Sequence, residues 1–493
     1  MKTVRVRAKV IQDDSGVYSE IPVLISESNE ILKPLMDYAL KLKRDGKSHS
    51  TINNYIKATQ LLIEYMTANT SGFESPGNLF EIFSSRLYTG TINEEGLDPS
   101  GLYWLPCSKQ VARLHINALS RLTDWMVEEY NLNSINPMVE ADSVTQRLNY
   151  AAWFRKNQYD FLGHIKDKQI NSTSRNARRV QGKRSLGKQK QEAIEFPEHY
   201  FESFYIDGLG GAKDLRVAIR DQLILLLLHG GGLRESEALH LWIEDVLIDP
   251  FDSDNVKVRI YHPEDGKAPN GWRGRSGKTT RAAYLKEKYA LSPRNELIGK
   301  KRVGWKARVT DSKDEYIEVH WFPTIFGKVF AKLWQDYIRL LISVDRHHPY
   351  AFVSFHHSHL GNPYTLNAFH DSYHRGLKRI GLNPSKPDGL SPHSHRHSYG
   401  RRLRRAGVQE IVIKKCLHHA SIESQAVYTT PTSIEITADL NDATERLMLS
   451  KEDSKQNNNL SWNALMRHGF DDIDPSGLFT GKNPRLGINN ESN

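Results

Sequence analysis

Cysteine is scarce in this chain: only Cys107 and Cys416 occur among 493 residues. Two cysteines this far apart in sequence support neither a disulfide framework nor a cysteine zinc site, so a reducing compartment is the default expectation. Long apolar runs are also missing. The run over 224–228 is far short of a membrane span, and the start MKTVRVRAKV lacks the apolar stretch of a secretory signal. We therefore expect a cytoplasmic protein without a membrane partner.

What the chain does contain is enough apolar sequence for real cores and an excess of positive charge. Hydrophobic residues make up 39% of the 493 residues, and this length allows about three domains. The net charge of +9 favours a polyanionic partner, although many basic proteins bind none. The distribution of the charge is therefore more informative than its sum.

The pattern of apolar residues divides the first third of the chain in two. Over 1–28, apolar and polar residues alternate on both sides of Asp13, Asp14 and Gly16, which predicts a β-hairpin or arm of unassigned role. Over 29–165 the apolar residues recur at helical spacing, which predicts an all-helical domain. The clearest stripes are Ile52, Tyr55, Thr59, Leu62, Ile63 and Met66, then Val111, Leu114, Ala118, Leu122 and Trp125.

Basic residues stand outside these stripes, among them Lys47 and Lys57, where they suit a helix face that lies on nucleic acid. A solvated helix face explains them equally well. The segment 166–195 is richer still in basic residues, which predicts a linker that tracks a nucleic-acid backbone and releases counterions. A plain soluble tether is the alternative. The candidate phosphate contacts of this linker are Arg178, Arg179, Lys183 and Arg184.

A mixture of helices and short strands follows over 196–437, and 438–493 is predicted to hold one more helix and a mobile tail. Within 196–437, the segment LLLLHGGGLRESEALHLWIEDV joins two predicted helices through a glycine turn that can present Arg234 to a ligand. Further on, Gly407 breaks the sequence into a helix, a turn and a second helix.

Five residues of this region suit attack on a phosphate ester. Tyr428 lies nine residues after His419, and Arg396, His393 and Arg234 lie upstream. A phenol is a poor nucleophile at neutral pH, but it can attack phosphorus if fixed cations take up the charge that develops on the non-bridging oxygens. The same cations select a phosphate ester as the substrate.

The histidines of the same region also raise the question of a zinc site. No spacing among them matches a ligand motif, and the neighbouring arginines would repel a dication. We therefore expect no metal. The histidines concerned are His393, His395, His397, His418 and His419.

These motifs resemble the tyrosine recombinase (phage integrase) family. The family has an Arg in G-L-R-x-S-E, a later H-x-x-R, then [GH]-H and a Tyr nine residues on, and this chain has G-L-R-E-S-E, H-S-H-R, H-H and Tyr428 in that order. The resemblance covers about 196–437 well and 30–165 more weakly. It implies a mainly α fold with a small β-sheet (α+β), in which a helical SAM-like core-binding domain and a catalytic domain form a C-shaped clamp on DNA.

The resemblance also implies a role for each matching residue. Arg234 and Arg396 would clamp the scissile phosphate with their forked donors. His393 would take the phenolic proton as general base, and His419 would donate a hydrogen bond to the phosphate. Tyr428 would attack phosphorus without a cofactor, giving a 3′-phosphotyrosyl link and a free 5′-hydroxyl.

Two supporting residues are implied as well. Glu237, one helical turn after Arg234, would orient the active-site residues. The family uses a hairpin lysine to protonate the leaving 5′-oxygen, and the resemblance favours Lys278 in RGRSGKTTRAAYL, with Lys267 and Lys286 left open. A purely electrostatic role for such a lysine is the alternative.

The chain departs from the family pattern at two places. His418 stands where the family usually has glycine, which predicts a helical rather than a tightly bent backbone there. The stretch 287–325 is longer than a minimal catalytic domain needs, and it is expected to be an elaborated hairpin or an extra DNA contact. Neither departure removes a catalytic side chain, so we expect an active enzyme.

The function implied is that of a site-specific DNA recombinase or integrase of a mobile genetic element. It would act as a homotetramer on paired double-stranded DNA sites, in the bacterial cytoplasm at the nucleoid. A non-catalytic DNA-binding accessory protein and a type IB topoisomerase-like relaxing enzyme are the alternatives. The target sequence, the direction of the reaction, any accessory proteins and the cis or trans packing of the helix after Tyr428 are left open.

Overall fold

A computed structural model gives the fold of residues 3–69, 75–157, 175–183, 194–275 and 277–419. All of these residues belong to one of the two compact units of the chain, Met1–Thr429. The predictions made above for Arg184, for Tyr428 and for 438–493 fall outside the described residues.

The N-terminal part consists of a hairpin and a group of helices. Strands β1 (Val4–Ile11) and β2 (Tyr18–Ile25) pair antiparallel, as the alternation predicts. Ser48, Ser75 and Ser108 each cap a helix, because each side chain accepts the backbone N–H three residues on. The helices are α1 (Lys33–Arg44), α2 (His49–Ala68), α3 (Pro76–Thr89), α4 (Lys109–Tyr130) and α5 (Ser143–Asn157).

These helices share a hydrophobic core with β2. In α2 the predicted stripe faces this core through the buried Ile52 and Tyr55. In α4 the prediction is partly wrong, since Val111 and Leu114 are exposed. Each residue step turns a helix by about 100°, so the positions next to them point inward instead. The buried residues of α4 include Ala112, Ile116, Ala118, Leu119 and Leu122.

Part of the predicted basic linker is ordered against the helices. Strand β3 (Met138–Glu140) pairs antiparallel with β4 (Asn176–Arg178). Ala177 is buried, and the N–H of Val180 donates to the side-chain oxygen of Asn136 at 2.8 Å. Strands of three residues are too short to show an alternating pattern, so periodicity could not predict them.

The second part of the structure is built around α7 (Leu215–His229). This helix is apolar on nearly all sides, and Leu223, Leu225 and Leu228 are fully buried. The helices of this part are α6 (Phe201–Ser203), α7, α8 (Glu235–Ala238), α9 (Arg281–Tyr289), α10 (Ile325–Leu341), α11 (Leu366–Arg379), α12 (Pro392–Arg405) and α13 (Glu410–Cys416). Helices α10, α11 and α12 pack around α7.

A small antiparallel sheet lies beside these helices. Its strands β5 (Val246–Asp249), β6 (Asp252–Tyr261) and β7 (Tyr316–Glu318) follow that order, with Ile260 opposite Ile317. The connection from β6 to β7 holds α9 and most of the stretch 287–325. The predicted mainly helical fold with a small β content is confirmed, and the strands form three small antiparallel sheets, whereas the SAM-like and C-shaped assignments stay predictions.

Across the described ranges, no helix is both long and apolar enough to cross a membrane.

Candidate active site

A glycine turn after α7 places Arg234. Gly232 has a φ of 68°, and a Cβ built on it would lie 2.4 Å from Cδ1 of the buried Tyr399 ring. The N–H of Leu233 returns to the carbonyl of Leu227 at 3.0 Å, which closes the turn. Glycine is therefore required at 232 both by the left-handed backbone and by the close approach of the ring. The turn leaves Arg234 as the N-cap of α8.

Glu237 forms the negative centre of the site. Its carboxylate is fully buried, and it accepts the N–H of Arg234 at 2.9 Å and the Nη1 of Arg234 at 2.6 Å. The Nη1 of Arg396 lies 3.9 Å from Oε2 of Glu237, the oxygen that accepts the N–H of Arg234. Burial alone would raise the pKa of Glu237, but the two guanidinium groups outweigh burial and hold the pKa below its ordinary value. The carboxylate is charged and draws both arginines to one place.

Arg396 is buried and is held by main-chain oxygens. Its Nη1 donates to the carbonyl of Gly232 at 2.6 Å, and its Nη2 donates to the carbonyl of Leu417. Because carbonyls are neutral, these bonds fix the guanidinium without cancelling its charge. One side chain thus ties the glycine turn, α12 and the end of α13 together.

Both predicted histidines lie within the field of these cations. Burial, then Arg396 and Arg234, lower the pKa of His419 to about 3. His393 keeps an exposed edge on the first turn of α12, yet the atoms packed around its ring and the charges of Arg396 and Arg234 lower its pKa too. Both imidazoles are therefore neutral near pH ~7, where each can donate one hydrogen bond and accept another.

His418 contradicts the predicted helical backbone. Its φ is 49°, in the left-handed region, and the helix α13 ends before it at Cys416. The N–H of His418 donates to the carbonyl of Lys415 at 2.9 Å, and that of His419 donates to Lys414 at 3.1 Å. These two bonds define a Schellman turn, in which the position of His418 usually belongs to glycine. The prediction was wrong because the helix ends here. The Schellman turn requires left-handed backbone angles at position 418, and this requirement outweighs the preference of a non-glycine residue for helical angles.

The three lysines considered from the sequence stay predictions, and a lysine that sequence reasoning missed contributes positive charge at His393. Lys278 is exposed, in a turn closed by the N–H of Gly274 donating to its carbonyl at 2.9 Å. Lys267 pairs with Asp314 at 3.5 Å, and Lys286 is exposed on α9. After burial, Arg396 and Arg234, the positive charge of Lys306 also contributes to lowering the pKa of His393. The basic segment GWKARV within 287–325 was the available signal.

A further buried histidine belongs to α12 itself. His395 is fully buried, with its Nδ1 3.0 Å from the Nδ1 of His229 and its Nε2 2.9 Å from the hydroxyl of Tyr373. Burial lowers the pKa of His395 well below its ordinary value, so it supports the helix as a neutral residue. Within the part of the chain that the structure describes, no three histidine, cysteine or acidic side chains are arranged to hold a metal ion.

Two of the predicted nucleic-acid contacts of the linker, Arg178 and Arg179, are paired with acids. Arg178 forms an ion pair with Asp124, and Arg179 lies 2.5 Å from Glu81. The Nζ of Lys183 lies over the ring of Tyr88, 4.9 Å from its centroid. Lys47 and Lys57 are exposed at the surface.

Comparison with known proteins gives three kinds of match. Residues 212–434 match the phage integrase family. Transposase A from transposon Tn554 of Staphylococcus aureus is 22% identical over 416 residues, covering 82% of this chain and 88% of the relative. An integrase/recombinase of Escherichia coli is 23% identical over 213 residues, covering 42% and 53%.

Solved structures are similar at lower identity. The XerH site-specific recombinase bound to a palindromic difH substrate is 16% identical, with a TM-score of 0.43 over 80% of this chain and 78% of that one. The Tn1549 transposon integrase with transposon right end DNA is also 16% identical, with a TM-score of 0.33 over 78% and 98%.

Proposed function

We propose that this protein, whose residues 212–434 match the phage integrase family, is a member of that family and a site-specific DNA recombinase that serves a mobile genetic element. The likeness to the Tn554 transposase, which extends over most of both chains, supports the mobile-element assignment. The family membership supports DNA strand exchange as the reaction.

The arrangement of Arg234 and Arg396 about the buried Glu237 carries this proposal. Two guanidinium groups that converge on one carboxylate keep a net positive charge in a small space. A phosphodiester between them would receive forked donors on its non-bridging oxygens. The main-chain bonds of Arg396 fix these donors before the substrate arrives, so little reorganisation accompanies the reaction.

In the proposed reaction the hydroxyl oxygen of Tyr428 forms a bond to phosphorus and the bond from phosphorus to the 5′-oxygen breaks. The phenolic proton passes to His393, whose low pKa leaves it neutral and able to accept it. His419 donates a hydrogen bond to the phosphate. The 3′-phosphotyrosyl link conserves the bond energy, so attack by the 5′-hydroxyl of another strand reverses the step.

The leaving 5′-oxygen needs a proton, and four lysines are candidates for that role: Lys278, Lys267, Lys286 and Lys306. Lys278 is the residue that the family resemblance favours, and it stays a prediction. Lys306 is supported by its electrostatic effect on His393. Replacing each with alanine on a substrate with a 5′-sulfur leaving group distinguishes them, because a thiolate leaves without protonation and restores the rate only for the variant that lacks the acid.

The experiment that tests the proposed function is covalent capture on DNA. A nicked duplex carrying the junction of the element's ends, taken from the DNA that flanks the encoding gene, traps the intermediate because the cut strand diffuses away. We expect the wild type to give an adduct that resists detergent and Tyr428→Phe to give none while binding the same DNA. If the wild type binds the junction and gives no adduct, the protein is an accessory DNA-binding protein instead.

A further inference from the structure

The turn that carries His419 is strained at His418. A residue with a Cβ is disfavoured in the left-handed region, yet His418 occupies it with a φ of 49°. Its side chain is almost fully buried at 1% exposure. Glycine would fit the turn without strain. The backbone strain of a histidine at this position must therefore be offset by contacts of its side chain.

The compensating contact comes from the inserted stretch 287–325. The Nε2 of His418 donates to Oδ2 of Asp311 at 3.1 Å, and the side chain of Asp311 is 13% exposed. A hydrogen bond to a carboxylate in a largely dry place is stronger than one between neutral groups. The insertion therefore reaches the turn next to the predicted catalytic histidine.

Asp311 is itself fixed to the sheet. Its N–H donates to the carbonyl of Tyr316 at 2.8 Å, and its Oδ2 also accepts the N–H of Glu318 at 2.8 Å. Tyr316 and Glu318 belong to β7. Nearby, the hydroxyl of Tyr399 donates to the carbonyl of His320 at 2.7 Å, which joins the end of this segment to α12. The carboxylate thus has one defined position relative to the site.

We propose that Asp311 is a positioning residue for His419, acting through His418, so that the insertion sets the geometry of the phosphate site. Arg396 holds this turn from one side by donating to the carbonyl of Leu417, and Asp311 holds it from the other through His418. His419 is the next residue, so its direction depends on both attachments. The catalytic consequence rests on the proposed function, whereas the attachment itself does not.

A double-mutant cycle tests the catalytic consequence. Asp311→Asn is expected to slow adduct formation in a single turnover by about tenfold, the factor that corresponds to one lost hydrogen bond to a charged group, with DNA affinity unchanged. His418→Gly removes both the attachment and the strain. In that background Asp311→Asn should change the rate by less than about twofold. Equal effects of Asp311→Asn in both backgrounds would overturn the proposal.

Asp314→Asn is the matched control. Asp314 lies in the same inserted segment, but its carboxylate pairs with Lys267 at 3.5 Å, whereas that of Asp311 pairs with His418. Asp314→Asn should leave adduct formation unchanged on the substrate with a 5′-sulfur leaving group, which needs no proton from Lys267. If it slows the reaction as much as Asp311→Asn does, the insertion matters only for general stability and the positioning role is wrong.

Amide hydrogen exchange reads the attachment without the reaction. In Asp311→Asn the amides of His418 and His419, which close the turn onto Lys415 and Lys414, should exchange about tenfold faster, and in Asp314→Asn they should not. Unchanged exchange would refute the attachment. Faster exchange in a protein that forms no adduct would keep the attachment and refute the proposed function, so the two failures are distinguishable.

Discussion

At the scale of single residues, the site depends on which groups are charged. Glu237 stays ionised although it is fully buried, because Arg234 and Arg396 face it. His393 and His419 stay neutral because burial and the same arginines oppose a further positive charge. The chemistry assigned to these residues therefore follows from their surroundings rather than from their ordinary pKa values.

The buried His240 gives a pH prediction at this scale. Burial lowers its pKa to about 3, and its Nε2 donates to the carbonyl of Val303 at 3.1 Å. Between this value and the ordinary pKa of about 6.5 the unfolded state binds the extra proton, so stability rises with pH across that window. We expect His240 to reduce the free energy of unfolding by about 2 kcal/mol between pH ~7 and pH ~5.

Urea unfolding of His240→Gln at the two pH values measures this contribution. The variant should lose less stability on acidification than the wild type does. His347→Gln, at a side chain that is 89% exposed, is the control and should follow the wild type. Identical pH dependence of the wild type and His240→Gln would contradict the prediction.

At the scale of elements, the glycine turn between α7 and α8 sets the position of Arg234. Gly232→Ala should destabilise the protein by about 1–3 kcal/mol more than Gly381→Ala does, because only the first forces a methyl into a packed ring. Both glycines have a positive φ, 68° and 77°, so the backbone cost is shared, but nothing lies within 4 Å of a Cβ at 381. Chemical denaturation measures this difference in the free energy of unfolding. If both variants lose the same stability, the ring of Tyr399 moves aside at little cost and the prediction is wrong.

Elements with a clear period could be predicted from the sequence. The stripe from Ile52 identifies α2, and Gly407 marks the break between α12 and α13. Elements fixed by distant contacts could not. Strand β4 is three residues long, and its Arg178 meets Asp124 across 54 positions of sequence. The left-handed His418 depends on Asp311, 107 positions earlier, so no local rule predicts it.

At the scale of the whole molecule, the question is which cations meet DNA. The linker arginines Arg178 and Arg179 already face acids. By contrast, the charges of Arg302, Arg7, Lys43 and Arg5 add to burial in lowering the pKa of His49, and none of the three arginines forms an ion pair with another described residue. Cations without acidic partners neutralise phosphates at the smallest cost, so the N-terminal hairpin and the insertion are the better candidates.

Salt dependence of DNA binding distinguishes these two sets. Replacing Arg5, Arg7 and Arg302 with glutamine should flatten the slope of log affinity against log salt by up to about 2.7, close to 0.9 for each phosphate contact. Replacing Arg178 and Arg179 should change the slope by less than about one. If replacing Arg178 and Arg179 flattens the slope more than replacing Arg5, Arg7 and Arg302 does, the linker is the part that contacts DNA.

The central claim is that the guanidinium pair offsets the charge of a scissile phosphate, and a neutral substrate tests it most directly. Arg234 is the better arginine to remove, because its side chain is 20% exposed. Arg396 is buried and donates to two main-chain carbonyls, so removing it would also disturb the fold. On ordinary DNA, Arg234→Ala should slow adduct formation by about 100-fold or more. On DNA with a methylphosphonate at the scissile position, where the non-bridging charge is gone, the same variant should lose less than about tenfold relative to wild type. An equal loss on both substrates would contradict the claim.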